Sequence, residues 1–279
     1  MVLTPLTADF WINFYKNDIN GDYEEKIIKE DICISIKKFK NSYHSISCCQ
    51  HGNSNFDGFY DNIIKIINDK IKTLQIKDTL GIEWIIRQND SPKILPEKLL
   101  SKGYEKIVSS RTKMGIKLDS YQLQPTINNN FEIKEVSFEK MLEEPIINLI
   151  LNNFSKLFTS KQDIKEKLTL GETLHEKKGN DRFNFIAYTK KDHKPIASGN
   201  LLIRNDIPGV AYLSGAITDK EYRKKGIYTS MLLTRIKRCK ELGLQYVIVD
   251  ADPLTSGPIL EKFGFKVIET IDIYRLNFT

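Results

Sequence analysis

The chain has 279 residues, of which 41% are hydrophobic and 28% charged, with a formal net charge of +6. That length can bury one large core or two ordinary ones. Its lysines spread along the whole chain instead of massing on one face beside aromatic stacking residues, which argues against nucleic acid as a partner.

No apolar run has the length of a membrane span, and Met1-Val2-Leu3-Thr4-Pro5 lacks the basic and apolar regions of a secretory signal. The expectation is a cytoplasmic protein with no membrane partner, as a monomer or homodimer. Cys33, Cys48, Cys49 and Cys239 have no framework-like spacing and are read as reduced thiols. His44, Cys48, Cys49 and His51 are all possible zinc ligands. Adjacent cysteines in a strand point to opposite faces, however, so a packed strand without metal is expected.

Further along, Asp61 to Leu74 carries a helical apolar stripe and Gly81 to Ile86 reads as a strand. Leu99 to Tyr104 ends a short helix, and Lys113 to Leu118 is a closing strand. The polar stretch between Leu118 and Phe131 is the best linker, which places domains at 1–122 and 131–279 with 123–130 between them. Beyond it come a strand at Phe131 to Ser137 and helices from Glu139 to about Leu157 and from Lys161 to Glu176. Strands at Phe183 to Thr189, Ile196 to Arg204 and Val210 to Thr218 follow.

The most telling stretch runs from Ala216 to Tyr228, where a strand passes through Arg223-Lys224-Lys225-Gly226 into a helix. Amide groups in the first turn of a helix have no intrahelical partner and sit at the positive end of its dipole, so they hold an anion. Gly226 lets the backbone approach, and the three cations add positive charge. Ile227, Met231, Leu232, Ile236, Cys239 and Leu242 recur at helical spacing, Gly243 stops the helix, and Leu244 to Asp250 reads as a buried strand. This is a βαβ unit. A short helix ends in Leu260-Glu261-Lys262-Phe263-Gly264-Phe265, and strands at about Lys266 to Thr270 and Asp272 to Phe278 close the chain.

From about Gly209 onward the chain resembles the GNAT superfamily of acyl-CoA N-acyltransferases. Arg223, Gly226 and Tyr228 stand at the marked positions of that family's Arg/Gln-x-x-Gly-x-Gly/Ala loop, and Ile259 to Phe265 matches its Leu-Tyr-Glu-Lys-Leu-Gly-Phe signature. The resemblance implies an α/β (α+β) GNAT fold, a mixed and mainly antiparallel sheet with a splayed parallel strand pair. Residues 1–122 repeat the second half faintly and are read as a degenerate GNAT-like domain without the phosphate loop. In place of that loop, His51 to Gly58 offers glycine but no cation.

The resemblance also implies acetyl-CoA as co-substrate, an amine acceptor as the other partner, and no metal. Ala216, Ile217 and Thr218 would meet the pantetheine arm through their backbone. Arg223, Lys224, Lys225, Gly226, Ile227 and Tyr228 would hold the pyrophosphate, with Thr229 adding a hydroxyl. Thr218 and Thr229 read equally well as a helix cap or a solvated hydroxyl.

Catalysis needs a base for the amine and an acid for the leaving thiolate. Leu260 stands where many members of the family carry the tyrosine acid, and Tyr212-Leu213-Ser214-Gly215 has no acidic residue. The remaining candidates are Tyr212 or Ser214 through water, Asp250 or Asp252 as base, and Thr255 or Ser256 as acid, with Tyr274 a further candidate that also reads as a packed aromatic. Asp252 before Pro253 reads equally as turn chemistry. Three functions stay open: N-acetylation of a small primary amine, acetylation of a protein lysine or N-terminus, and a non-catalytic acyl-CoA sensor.

Overall fold

The computed structural model describes residue 6 and residues 25–29, 32–38, 43–50, 56–75, 78–87, 93–107, 111–119, 121–122, 130–154, 158, 160–177 and 179–277. The chain divides into two compact units. One comprises 1–113, 251–258 and 267–279, and the other 114–250 and 259–266.

In the first unit β1 (Glu25–Lys29), β2 (Ile32–Lys38) and β3 (Tyr43–Gln50) form an antiparallel meander, and β4 (Asp78–Arg87) adds parallel to β3. Ile32, Ile34 and Ile36 are buried, so β2 has the period of two that a half-buried strand requires. α1 (Phe56–Thr73) buries Tyr60, Ile63 and Ile67, one face of a helix at 3.6 residues per turn. α2 (Leu95–Ser101) follows β4 and anchors Leu95 and Leu99 in the same core. β5 (Glu105–Lys106) comes next in the chain.

The final strand, β12 (Lys266–Leu276), is one continuous element where two were expected. No turn residue separates Thr270 from Asp272, so nothing interrupts the ladder. From Ile271 to Leu276 it pairs antiparallel with β4, and Tyr274 and Arg275 also meet β5. Gly81 permits the close approach to β12, because a Cβ at its φ of +132° would lie 2.0 Å from the Leu276 carbonyl oxygen. Lys113 to Leu118, expected to close the N-terminal domain, is β6 (Arg111–Lys117), and its residues 114–117 belong to the second unit. The expected linker residues 123–129 lie outside the described residues.

Arg87 and Glu269 form a buried ion pair in the first unit. Removing one partner strands the other charge in the core, so Glu269→Gln should lower the urea-unfolding free energy by about 3–5 kcal/mol. Replacing both by Met should cost far less.

In the second unit β6 lies beside β11, and the sheet continues in the order β11, β10, β9, β8, β7. Those strands are β7 (Phe131–Val136), β8 (Asp181–Thr189), β9 (Pro195–Ile203), β10 (Val210–Thr218) and β11 (Tyr246–Ala251). The helix expected from Glu139 is two, α3 (Phe138–Met141) and α4 (Glu144–Asn153). Ser137 caps the first through its side chain, and Pro145 in the first turn of the second marks a fresh start. α5 (Lys161–Lys177) and α4 cover one face of the sheet over a core containing Ile146, Ile147, Ile150, Ile164 and Ile186. α6 (Ile227–Glu241) buries Ile227, Met231, Leu232, Ile236 and Cys239, and α7 (Gly257–Lys262) carries the fully buried Leu260.

Cys33 is the register partner of Cys49 across β2 and β3, and Cys48 points into the core. No group of three possible metal ligands occurs among the described residues, which exclude His51. Burial pushes the Cys239 thiol from 9.0 up to about 12 and holds Cys48 well above its ordinary range. Unfolded thiols release their protons near pH 9 while these two keep theirs. The stability they lend is therefore complete below pH 9 and is lost as pH rises toward 12, at about 1.4 kcal/mol per pH unit for each thiol. Urea titrations of Cys239→Ala should show this slope reduced by one proton.

Candidate active site

β10 and β11 run parallel and pair from Val210↔Tyr246 to Leu213↔Val249. Above Leu213 this pairing stops, although β10 continues to Thr218. On its other side, the register of β10 with β9 shifts between Ser214 and Ile217. A bulge leaves backbone groups unpaired and bends its strand, and Gly215 provides it with a φ of +61°. A side chain there would be strained by the left-handed backbone and would push on the Asn200 side-chain amide, 2.8 Å from a built Cβ. Ser214, Gly215 and Ala216 are exposed. The parallel pair thus opens into a cleft edged by accessible backbone, where the sequence placed Ala216 to Thr218.

The next residues build the loop. Asp219 caps a 3-10 turn at Lys220–Tyr222 by accepting from the Glu221 amide at 3.0 Å. Arg223 donates through Nε to the Thr218 carbonyl at 3.2 Å and through Nη2 to Asn153 Oδ1 at 3.4 Å. The arginine therefore braces the loop against the end of β10 and α4. Lys224, with a φ of +60°, and Gly226, with a φ of +77°, are both left-handed, which turns the backbone sharply into α6.

Gly226 is the N-cap and supplies no side-chain cap, and no atom lies within 4 Å of a Cβ built on it. The amides of the first helical turn thus face an open, positively charged corner. Lys224 and Lys225 are exposed there, and Lys225 lies 4.9 Å from the Tyr222 ring centre. Ile227 is buried, so it contributes backbone alone, whereas Tyr228 and Thr229 are half-buried. An extended cleft leading to an uncapped helix end fits an elongated ligand with an anionic group at one end.

Two polar side-chain arrangements lie near the end of β11 in the chain. The Tyr212 hydroxyl donates to the exposed Asp250 carboxylate. In contrast, Asp252 Oδ1 accepts from the Leu254 and Thr255 amides at 2.7 and 3.1 Å, and Ser256 Oγ accepts from the Asp252 amide at 3.0 Å. Asp252, Thr255 and Ser256 are therefore brought together as a self-capped turn entering α7, in residues that cluster with the first unit. Leu260 is 0% exposed and supplies no proton.

The face of the sheet beneath α5 carries a polar group that sequence reasoning missed. Asn184 and Asn200 are register partners, as are Asn200 and Ser214. The Asn200 amide accepts from Arg182 Nη2 at 2.9 Å and donates to Asn184 Oδ1 at 3.2 Å. Glu172 on α5 lies 3.8 Å from Arg182 Nη1, and burial raises its carboxyl pKa. The signal was a run of polar residues at alternate positions inside otherwise apolar strands.

The first unit repeats the order strand, helix, parallel strand, short helix without the cleft. β3 and β4 stay paired through Cys48↔Trp84, two residues from the end of β3. Trp84 Nε1 and the Tyr60 hydroxyl both donate to the buried Tyr104 hydroxyl, at 3.2 and 3.3 Å. Residues 51–55 of the expected substitute loop lie outside the described residues, and Phe56, Asp57 and Gly58 open α1.

Residues 147–265 match the acetyltransferase (GNAT) family. No curated protein matches the chain. Among solved structures, a GCN5-related N-acetyltransferase from Kribbella flavida aligns with a TM-score of 0.65 at 10% identity, covering 96% of this chain and 95% of its own. A tandem GNAT protein from the clavulanic acid biosynthesis pathway aligns at 0.64 and 10%, covering 88% and 78%. A GCN5-related N-acetyltransferase from Sphaerobacter thermophilus aligns at 0.65 and 13%, covering 88% and 76%. At such identities the likeness concerns the fold, which is the GNAT fold across both units.

Proposed function

Because residues 147–265 match the acetyltransferase (GNAT) family, we propose that the chain moves an acetyl group from acetyl-CoA to a primary amine of a small polar molecule. The observation that carries this reading is the cleft itself: a parallel pair that parts after Leu213, a bulge at Gly215, and an uncapped helix end at Gly226. Bound acetyl-CoA supplies the activated thioester.

The chain's own groups do the rest. The amides after Gly226 with Lys224 and Lys225 hold the pyrophosphate, and Arg223 keeps their loop in shape. Backbone of Ala216, Ile217 and Thr218 lines the pantetheine arm, with Tyr228 and Thr229 at the helix start. A backbone amide of the bulge would stabilise charge developing on the thioester oxygen. Asp250 receives the proton of the attacking amine, and Tyr212 holds the carboxylate in place and relays. Asp252, Thr255 and Ser256 shape the turn after the strand.

A small acceptor is favoured over a protein segment by the recessed polar groups under α5, where Asn184 is 3% exposed and Glu172 lies against Arg182. The chain as a cytoplasmic enzyme, without nucleic-acid or membrane partner, is part of the same proposal. Its test is coenzyme A release, followed by thiol detection, with acetyl-CoA and a panel of primary amines. Tight acetyl-CoA binding without release for any amine or lysine peptide would replace this reading with the sensor, which the buried Leu260 favours.

A further inference from the structure

Arg235 on α6 is 1% exposed, among the largest fully buried side chains of the protein. Its Nε donates to the Met231 carbonyl at 3.3 Å and its Nη1 to the Asn200 carbonyl at 3.2 Å. No carboxylate among the described residues pairs with it, and burial pulls the guanidinium from 12.5 down to about 10. β9 makes room with a glycine: a Cβ on Gly199 would lie 3.1 Å from Cζ and Nη1. An uncompensated buried charge is costly, and an apolar side chain of similar volume is usually the more stable choice at such a place. Packing alone therefore does not account for an arginine on the buried stripe of this helix.

Its location does. Asn200, whose carbonyl it grips from the α6 side, is the register partner of Ser214, the last pair before the β10 bulge. From the other face the Asn200 amide is held by Arg182 and Asn184. The strand from which the bulge hangs is thus fixed on both faces, with a full positive charge directly beneath it. We propose that Arg235 is a positioning residue for acyl transfer, which clamps β9 at Asn200, sets the bulge, and lends its field to negative charge developing on the thioester oxygen. The inference rests on the acyl-transfer reading given above. At a separation on the order of 10 Å and an effective dielectric constant of about 20, that field is worth about tenfold in rate.

The test uses the full chain with Arg235→Met and Arg235→Lys. Three quantities are measured: thermal midpoint, acetyl-CoA affinity by calorimetry, and the infrared carbonyl band of bound acetyl-CoA labelled with carbon-13 at the acetyl carbonyl. Coenzyme A release is followed with spermidine, glucosamine and lysine. Arg235→Met should fold with an equal or higher midpoint and bind within about threefold of wild type. Its carbonyl band should move back toward the free-solution position, and release should fall about tenfold. Arg235→Lys, which restores charge without the two-carbonyl fork, should recover part of both.

Wild-type band position and rate in Arg235→Met would overturn the proposal. A loss of folding or binding in both variants would also overturn it, in favour of a purely structural arginine. Absence of acetyl-CoA binding in the wild type would instead remove the acyl-transfer reading, and the proposal with it.

Discussion

Gly226→Asp should weaken acetyl-CoA binding by about a hundredfold or more while leaving the protein at least as stable, and Gly226→Asn should bind within about tenfold of wild type. The comparison isolates charge. Gly226 has a φ of +77° and no atom within 4 Å of a built Cβ, so both variants have room, and Asn and Asp are the side chains that best tolerate this backbone region. Either can cap α6, which now has no side-chain cap. A carboxylate there complements the helix dipole and so competes with any anion for the same amides. Placed about 5 Å from a pyrophosphate, it adds repulsion of about 3 kcal/mol per charge at an effective dielectric constant of 20. Calorimetry with acetyl-CoA and desulfo-coenzyme A decides the matter. Equal affinities for the two variants would remove the phosphate assignment from this loop.

Asp250→Asn should lower coenzyme A release by about 10²–10³ at neutral pH, with acetyl-CoA affinity unchanged, and Tyr212→Phe by about tenfold. The carboxylate lies at the end of β11 and accepts from a hydroxyl 38 residues away in the chain. An amide of the same shape keeps that hydrogen bond but takes no proton. Without a base, attack depends on amine that is already neutral, so release by Asp250→Asn should climb with pH toward the acceptor's own pKa. Wild-type release should level off earlier. If instead Asp252→Asn removes activity and Asp250→Asn does not, the base belongs to the turn that enters α7.

The loop and its helix were legible because their determinants are local. Gly226 and Gly243 bracket α6 at its observed ends, and the stripe from Ile227 to Cys239 is buried as its spacing required. The β1–β2 hairpin was overlooked even though Ile32, Ile34 and Ile36 show its period, since short alternating strands among lysines give a weak signal. The expected helix from Glu139 to Leu157 passed over Pro145, where the chain restarts.

The division into units was not legible. β12 pairs with β4, and residues 114–117 of β6 cluster with the second unit, so a fragment ending at residue 122 would leave β4 without its antiparallel partner. No contiguous boundary can express that arrangement. By itself the sequence marked most of the elements and the glycine-bearing turn into α6, because helical period, strand alternation and left-handed glycines are properties of neighbouring residues, while the class of chemistry came from the family resemblance. Tertiary structure decided which strands pair, that Tyr212 meets Asp250, and that Arg235 lies uncompensated under Asn200. Those outcomes depend on register between segments far apart in the chain, which no local pattern encodes.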